Sequence, residues 1–222
     1  MAAKESGGTP ARWALFAAIA AGASYLASPS VAMAPALDVG WKGAGVGLLA
    51  LYAALKARDL DGWLLAAVMA LGAAGDVLLE THGLTIGALA FLAGHLTAVW
   101  LYLRNRRKPL ATSDLIIGLA IAPAIVALAF ALPADRAGAP GIALYAAGLG
   151  AMAAGAWISR FPRALTGLGA LMFVASDLLI FLRTGRPLAH APWIGVAVWS
   201  LYFAGQTLIV LGVRSGLSRP VR

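Results

Sequence analysis

A chain of 222 residues that is 61% hydrophobic and only 12% charged lacks the polar surface to cover a soluble globule of its size. Its net charge of +8 is spread over short flanks between apolar runs, so it reads as membrane topology and attraction to anionic headgroups, not as a nucleic-acid surface. Cysteine is absent, which removes disulfides, thiol nucleophiles and cysteine metal sites.

A membrane-crossing helix needs about 20 mostly apolar residues. Charges, Pro and Gly divide the sequence into eight such runs, at 11–27, 39–57, 62–80, 84–103, 113–132, 139–158, 163–183 and 191–213. The expected fold class is therefore all-α: a polytopic membrane bundle of eight transmembrane helices forming a single transmembrane domain over 1–222. The first run also reads as a signal peptide, with Arg12 ahead of an apolar stretch and Ala32-Met33-Ala34 as a cleavage site, although cleavage would leave an odd number of spans. Of the 17 Lys and Arg residues, 13 lie on one set of flanks: Lys4, Arg12, Lys56, Arg58, Arg104, Arg106, Arg107, Lys108, Arg160, Arg163, Arg214, Arg219 and Arg222. The other side keeps Arg136, Arg183 and Arg186, with Lys42 just inside a span. The positive-inside rule then places both termini in the cytoplasm.

In chain order, the first span ends at Ser24 and Tyr25, the latter an aromatic-belt residue. The second opens with Asp38, Trp41 and Lys42. Lys42 either snorkels to the interface or turns inward toward a carboxylate or a substrate phosphate. The third span carries Asp76 in its outer third, with Glu80 one turn later as a solvated interfacial charge. The fourth holds Phe91-Leu92-Ala93-Gly94-His95, with His95 near mid-membrane. The fifth has Asp114 at its start and Pro123 as a kink, and serves as scaffold. Tyr145 in the sixth is a candidate pocket residue. The seventh brings Ser176 and Asp177, and the eighth, entered through His190, carries Trp199, Tyr202 and Gln206, the last two sharing a face at i, i+4.

Two ionisable groups inside a membrane each cost roughly 2.5–3.5 kcal/mol on insertion scales, so they need a partner or a use. The surroundings of Asp76 and Asp177 recur in order. Gly75-Asp76-Val77-Leu78 matches Ser176-Asp177-Leu178-Leu179, and Phe91-Leu92-Ala93-Gly94-His95 matches Tyr202-Phe203-Ala204-Gly205-Gln206. This predicts a 4+4 internal repeat whose halves are parallel, since four spans return the chain to its starting side. Two carboxylates in a cleft of low polarity can act as acid and base, a pairing suited to acid-labile ethers and acetals. Only His95 among the three His lies deep in a span and no H-E-x-x-H occurs, which argues against zinc; no G-x-S-x-G elbow is present either.

Gly75-Asp76, Gly94-His95, Ser176-Asp177 and the Tyr202/Gln206 pair, set in eight short-looped spans, resemble the YhhN-like lysoplasmalogenase family of integral membrane proteins. The resemblance implies hydrolysis of the vinyl ether bond of a lysophospholipid substrate, giving a fatty aldehyde and a glycerophospho-headgroup. It implies Asp76 and Asp177 as the catalytic pair, no metal or organic cofactor, and Lys42, His95, Tyr202 and Gln206 as polar pocket lining, to which Tyr145 and Ser176 are added from their positions. Membrane lipids are the expected surroundings in a bacterial inner membrane, with no nucleic acid and no obligate protein partner. Two positions depart from the family pattern: Gly43 follows Lys42 in place of Pro, and Ala98 replaces a Tyr three residues after His95. A proton-coupled transporter using the same two aspartates, or a structural protein that uses them as hydrogen-bonded glue, is the alternative reading.

Overall fold

The computed structural model describes residues 8–184 and 191–218. The expectations that rest on Lys4, Arg186, His190, Arg219 and Arg222 lie outside the described residues. Among the described residues every regular element is helical: α1 (Gly8–Ser24), a 3-10 segment (Tyr25–Ser30), α2 (Pro35–Lys56), α3 (Leu60–His82), α4 (Leu84–Arg104), α5 (Thr112–Ala131), α6 (Ala139–Ile158), a π-helical turn (Arg163–Gly167) running into α7 (Leu168–Arg183), and α8 (Pro192–Leu217).

Six helices, α3 to α8 with the π turn counted into α7, are long and apolar enough to cross a membrane. α1 stops at 17 residues, and α2, though 22 long, is diluted by Asp38, Lys42 and Lys56. The chain is thus an all-helical membrane protein, and its large exposed apolar side chains, such as Leu119 and Leu144 at 67% and 73% exposure, are what a lipid-facing surface requires.

Local chemistry explains the helix boundaries. The first helix gives way after Ser24 to a tighter 3-10 segment, Tyr25–Ser30, in which Pro29 has no amide hydrogen to give the Tyr25 carbonyl four residues back. α2 starts four residues ahead of the expected run, at Pro35, a residue suited to the first helical position. Asp59 caps α3 by accepting from the Gly62 amide at 2.8 Å, and Gly83, with φ of +85°, ends it in a conformation that favours glycine. α5 continues through Pro123 as one helix.

The chain divides into two compact units, 1–94 and 95–222, with the boundary inside α4. In the first unit α1 packs on α2 and α2 on α3. α4 closes on α3 through glycines: a Cβ on Gly75 would lie 2.8 Å from the Phe91 ring, and one on Gly87 would lie 2.7 Å from the Leu79 Cα. In the second unit α5 packs on α6, α6 on α7, and α7 with its π turn on α8. Here too the approach is close, since a Cβ on Gly205 would meet the Gly169 carbonyl oxygen at 2.7 Å. Small residues let membrane helices make such backbone contacts.

The two glycines that precede the polar residues of the matching motifs have matching surroundings. Gly94 faces the Leu71 Cβ at 3.4 Å and the Val68 carbonyl at 3.7 Å, five and eight residues before Asp76. Gly205 faces the Met172 Cβ at 3.4 Å and the Gly169 carbonyl, again five and eight residues before Asp177.

One end of the second unit is tied by polar groups. Arg107 and Arg163 both reach Asp114, at 3.1 and 2.5 Å, and the Arg163 guanidinium lies over the Trp157 ring. Arg160 donates to the Asn105 side chain at 2.8 Å and to the Gly216 carbonyl at 2.9 Å. Arg106 and Ser159 form an isolated antiparallel bridge. Asp114 is therefore a structural anchor as well as the start of a scaffold helix.

Candidate active site

α7 is the helix that organises the second unit's polar interior. Phe173, Asp177 and Phe181 recur every four residues, so they share one face, and all three are buried. From α6 the Tyr145 hydroxyl donates to Asp177 Oδ2 at 2.7 Å. His95, on the part of α4 that belongs to this unit, has its Nε2 3.0 Å from the same hydroxyl. Tyr145 has one hydrogen, and it is spent on Asp177, so its oxygen takes a hydrogen from Nε2 and His95 is the Nε2–H tautomer. The result is a chain in which His95 donates to Tyr145 and Tyr145 donates to Asp177.

Aromatic rings frame this chain. His95 meets Phe173 edge-on at 5.0 Å between ring centres, Phe173 meets Tyr202 at 5.1 Å, and Tyr145 meets Phe181 at 6.0 Å. Trp199 lies against Tyr202 at 5.7 Å. Offset and edge-on contacts of this kind add about 0.5–1.5 kcal/mol each beyond burial and restrict ring rotation. Gln206, buried on α8, donates to the Tyr202 hydroxyl at 3.5 Å, as the i, i+4 spacing anticipates. Ser176 is buried but points elsewhere: its hydroxyl donates to the Val198 carbonyl at 3.0 Å, stitching α7 to α8.

Of the expected site residues, the second unit thus gathers His95, Tyr145, Asp177, Tyr202 and Gln206, with Ser176 turned to a structural bond. Phe181 went unread in the sequence, although its position four residues after Asp177 carried the signal. In the first unit Asp76 is buried on α3, 3% exposed. Lys42 pairs with Glu80, so its ammonium meets a carboxylate at the end of α3, and Glu80 is exposed, as expected of an interfacial charge. The physical reason is position: α2 packs on α3, so a long ammonium stem on one reaches a carboxylate at the end of the other. Nearby, the Tyr25 hydroxyl lies 3.4 Å from Asp38 Oδ2, and the Tyr25 and Trp41 rings meet edge-on at 5.8 Å. His82 is exposed beside the Thr81 hydroxyl.

The Lys42–Glu80 pair is partly solvated, with side-chain exposures of 15% and 39%. Exposed ion pairs contribute about 0–1 kcal/mol. Glu80→Gln is therefore expected to leave thermal unfolding in detergent within roughly 4 °C of wild type, and a larger drop would show that the pair is structural.

The family model described as the YhhN family matches residues 37–213. Proteins named Lysoplasmalogenase from Mycobacterium bovis and Mycobacterium tuberculosis are each 30% identical to the chain over 167 residues, covering 71% of it. The match spans 62% of the length of these curated relatives. No solved structure matches the chain. The family match takes in Asp76, His95, Asp177, Tyr202 and Gln206 and extends from α2 into α8, so the chain belongs to the YhhN family.

Proposed function

We propose that the protein is a membrane-embedded hydrolase that cleaves the vinyl ether bond of lysoplasmalogen-type lysolipids, with Asp76 and Asp177 as its catalytic residues and no cofactor. The observation that carries this reading is the buried Asp177 carboxyl held by Tyr145 and His95 in a chain of the YhhN family, whose Mycobacterium relatives are named Lysoplasmalogenase. A buried carboxyl group with a fixed hydrogen-bond partner has the geometry that general acid–base chemistry needs.

A carboxylic acid protonates the vinyl carbon remote from the ether oxygen, leaving an oxocarbenium ion that a carboxylate stabilises. Water adds to the carbon bearing oxygen and loses one proton to the protein. The hemiacetal then collapses to a fatty aldehyde and the free hydroxyl of the glycerophospho-headgroup. In this reading the alkenyl chain lies against apolar surface, and Lys42 with Glu80 offers an ammonium and a carboxylate to a zwitterionic headgroup.

The same reading takes all eight helices as spans of one transmembrane domain in a bacterial inner membrane, with both termini cytoplasmic. Asp38, Lys42 and Lys56 make α2 less apolar than the helices after it, yet its 22 residues are enough to cross. The parallel 4+4 repeat is supported by the matched surroundings of Gly94 and Gly205.

Purified protein in detergent, given a lysoplasmalogen with lysophosphatidylcholine as the ester control, is expected to release aldehyde from the first and no fatty acid from the second. A well-folded preparation that yields no aldehyde overturns the reading, and proton-coupled uptake into vesicles becomes the next assay.

A further inference from the structure

Asp177 has two carboxyl oxygens, and only one of them meets Tyr145. The phenol donates its single hydrogen to Oδ2 at 2.7 Å while its oxygen receives the Nε2 hydrogen of His95 at 3.0 Å. Edge-on contacts with Phe173 and Phe181 hold the two rings in that pose. A carboxylic acid can carry its hydrogen on either oxygen, but an oxygen already accepting from a hydroxyl is the poorer place for it. We propose that Asp177 is the general acid of the hydrolysis, with its transferable hydrogen on Oδ1, and that Tyr145 and His95 are positioning residues that keep it there by occupying Oδ2. This rests on the vinyl ether hydrolase reading and leaves Asp76 as the carboxylate that stabilises the cation.

In the protonation step the Oδ1–H bond breaks, a C–H bond forms at the remote vinyl carbon from the double-bond electron pair, and Asp177 becomes a carboxylate. The negative charge forms on a group whose Oδ2 already has a hydroxyl donor, and a hydrogen bond to a charged acceptor is about twice as strong as one to a neutral acceptor. His95 supports this by donating to the Tyr145 oxygen, which polarises the phenol toward Asp177. When water bonds to the cationic carbon, the hydrogen it loses returns to Oδ1. The hemiacetal hydroxyl hydrogen passes to the leaving oxygen as the C–O bond breaks, so the acid is restored and no net proton is consumed.

Because Tyr145 and His95 act through Asp177, their loss falls on kcat. With aldehyde release as the assay, Tyr145→Phe is expected to lower kcat about 10- to 100-fold with KM within about twofold of wild type. His95→Leu lowers kcat as well, and His95→Gln, which keeps a donor at that place, recovers most of the loss. The Tyr145→Phe/His95→Leu double variant falls no further than Tyr145→Phe alone, since His95 acts only through the phenol. Elution and thermal unfolding in detergent establish that each variant is folded, and the two His95 variants carry the test if Tyr145→Phe is not. An active wild type with unchanged kcat in Tyr145→Phe, or losses that multiply in the double variant, overturns the proposal alone. A wild type that releases no aldehyde overturns the hydrolase reading and the proposal with it.

Discussion

Asp177→Asn is expected to reduce aldehyde release by roughly two to four orders of magnitude, the usual contribution of a positioned general acid or base, without loss of the folded state. The substitution preserves shape, and the amide oxygen still accepts from the Tyr145 hydroxyl that now meets Oδ2 at 2.7 Å. What it removes is the exchangeable proton. Asp76→Asn is expected to be equally damaging, because the proposed chemistry needs a carboxylate as well as an acid, and Asp76 is the other buried one among the described residues. Aldehyde release by wild type and both variants, alongside their thermal unfolding in detergent, separates chemistry from folding. Near-normal turnover in both single variants refutes the aspartate mechanism; a collapse of unfolding temperature with turnover would mark the aspartates as structural.

The second large effect is expected on stability. At Gly205 a methyl group would sit 2.7 Å from the Gly169 carbonyl oxygen and 3.2 Å from the Phe173 amide nitrogen, both backbone atoms that no side-chain rotation can move aside. Gly205→Ala must therefore push α8 from α7. Overpacking of this kind costs about 1–3 kcal/mol, or roughly 2–12 °C in unfolding temperature for a chain of this size. Activity is expected to fall with it, because α7 carries Asp177 and its Phe173 backbone lies in the contact. Gly141→Ala, with open space around the added methyl, is the matched control. An unfolding temperature for Gly205→Ala equal to that of the control would show that the helices do not meet as closely as described.

Much of this architecture was legible in the residues. Charges bound most of the apolar runs because an ionised group is costly in hydrocarbon, and the run at 139–158 coincides with α6, Ala139–Ile158. The burial of His95 was legible from its place near the middle of a span, and that of Asp76 and Asp177 because a carboxylate in the outer third of a span needs a polar partner or a use. Tertiary facts were less accessible. That Tyr145 would be the partner of Asp177 depends on α6 packing against α7, which no local pattern states. Ser176 looked like pocket lining by adjacency to Asp177, yet neighbours on a helix point about 100° apart, and its hydroxyl serves Val198. The direction of Lys42 was open for the same reason. The wider winding of Arg163–Gly167 carries no compositional mark at all, since its residues would suit an ordinary helical turn.

The bridge between Arg106 and Ser159 changes how the polar end of the second unit can meet its surroundings. Connecting segments usually rise into water because their peptide groups need it for hydration. Here the Arg107 amide is satisfied by the Ile158 carbonyl at 2.9 Å, and the Arg160 amide by the Asn105 carbonyl at 2.8 Å. Segments whose peptide groups bond to each other in this way need no water for those groups and can lie lower, at the level of lipid phosphates. Anionic headgroups attract Lys and Arg at that level, so an end built in this way is held more firmly by an anionic bilayer than by a neutral one.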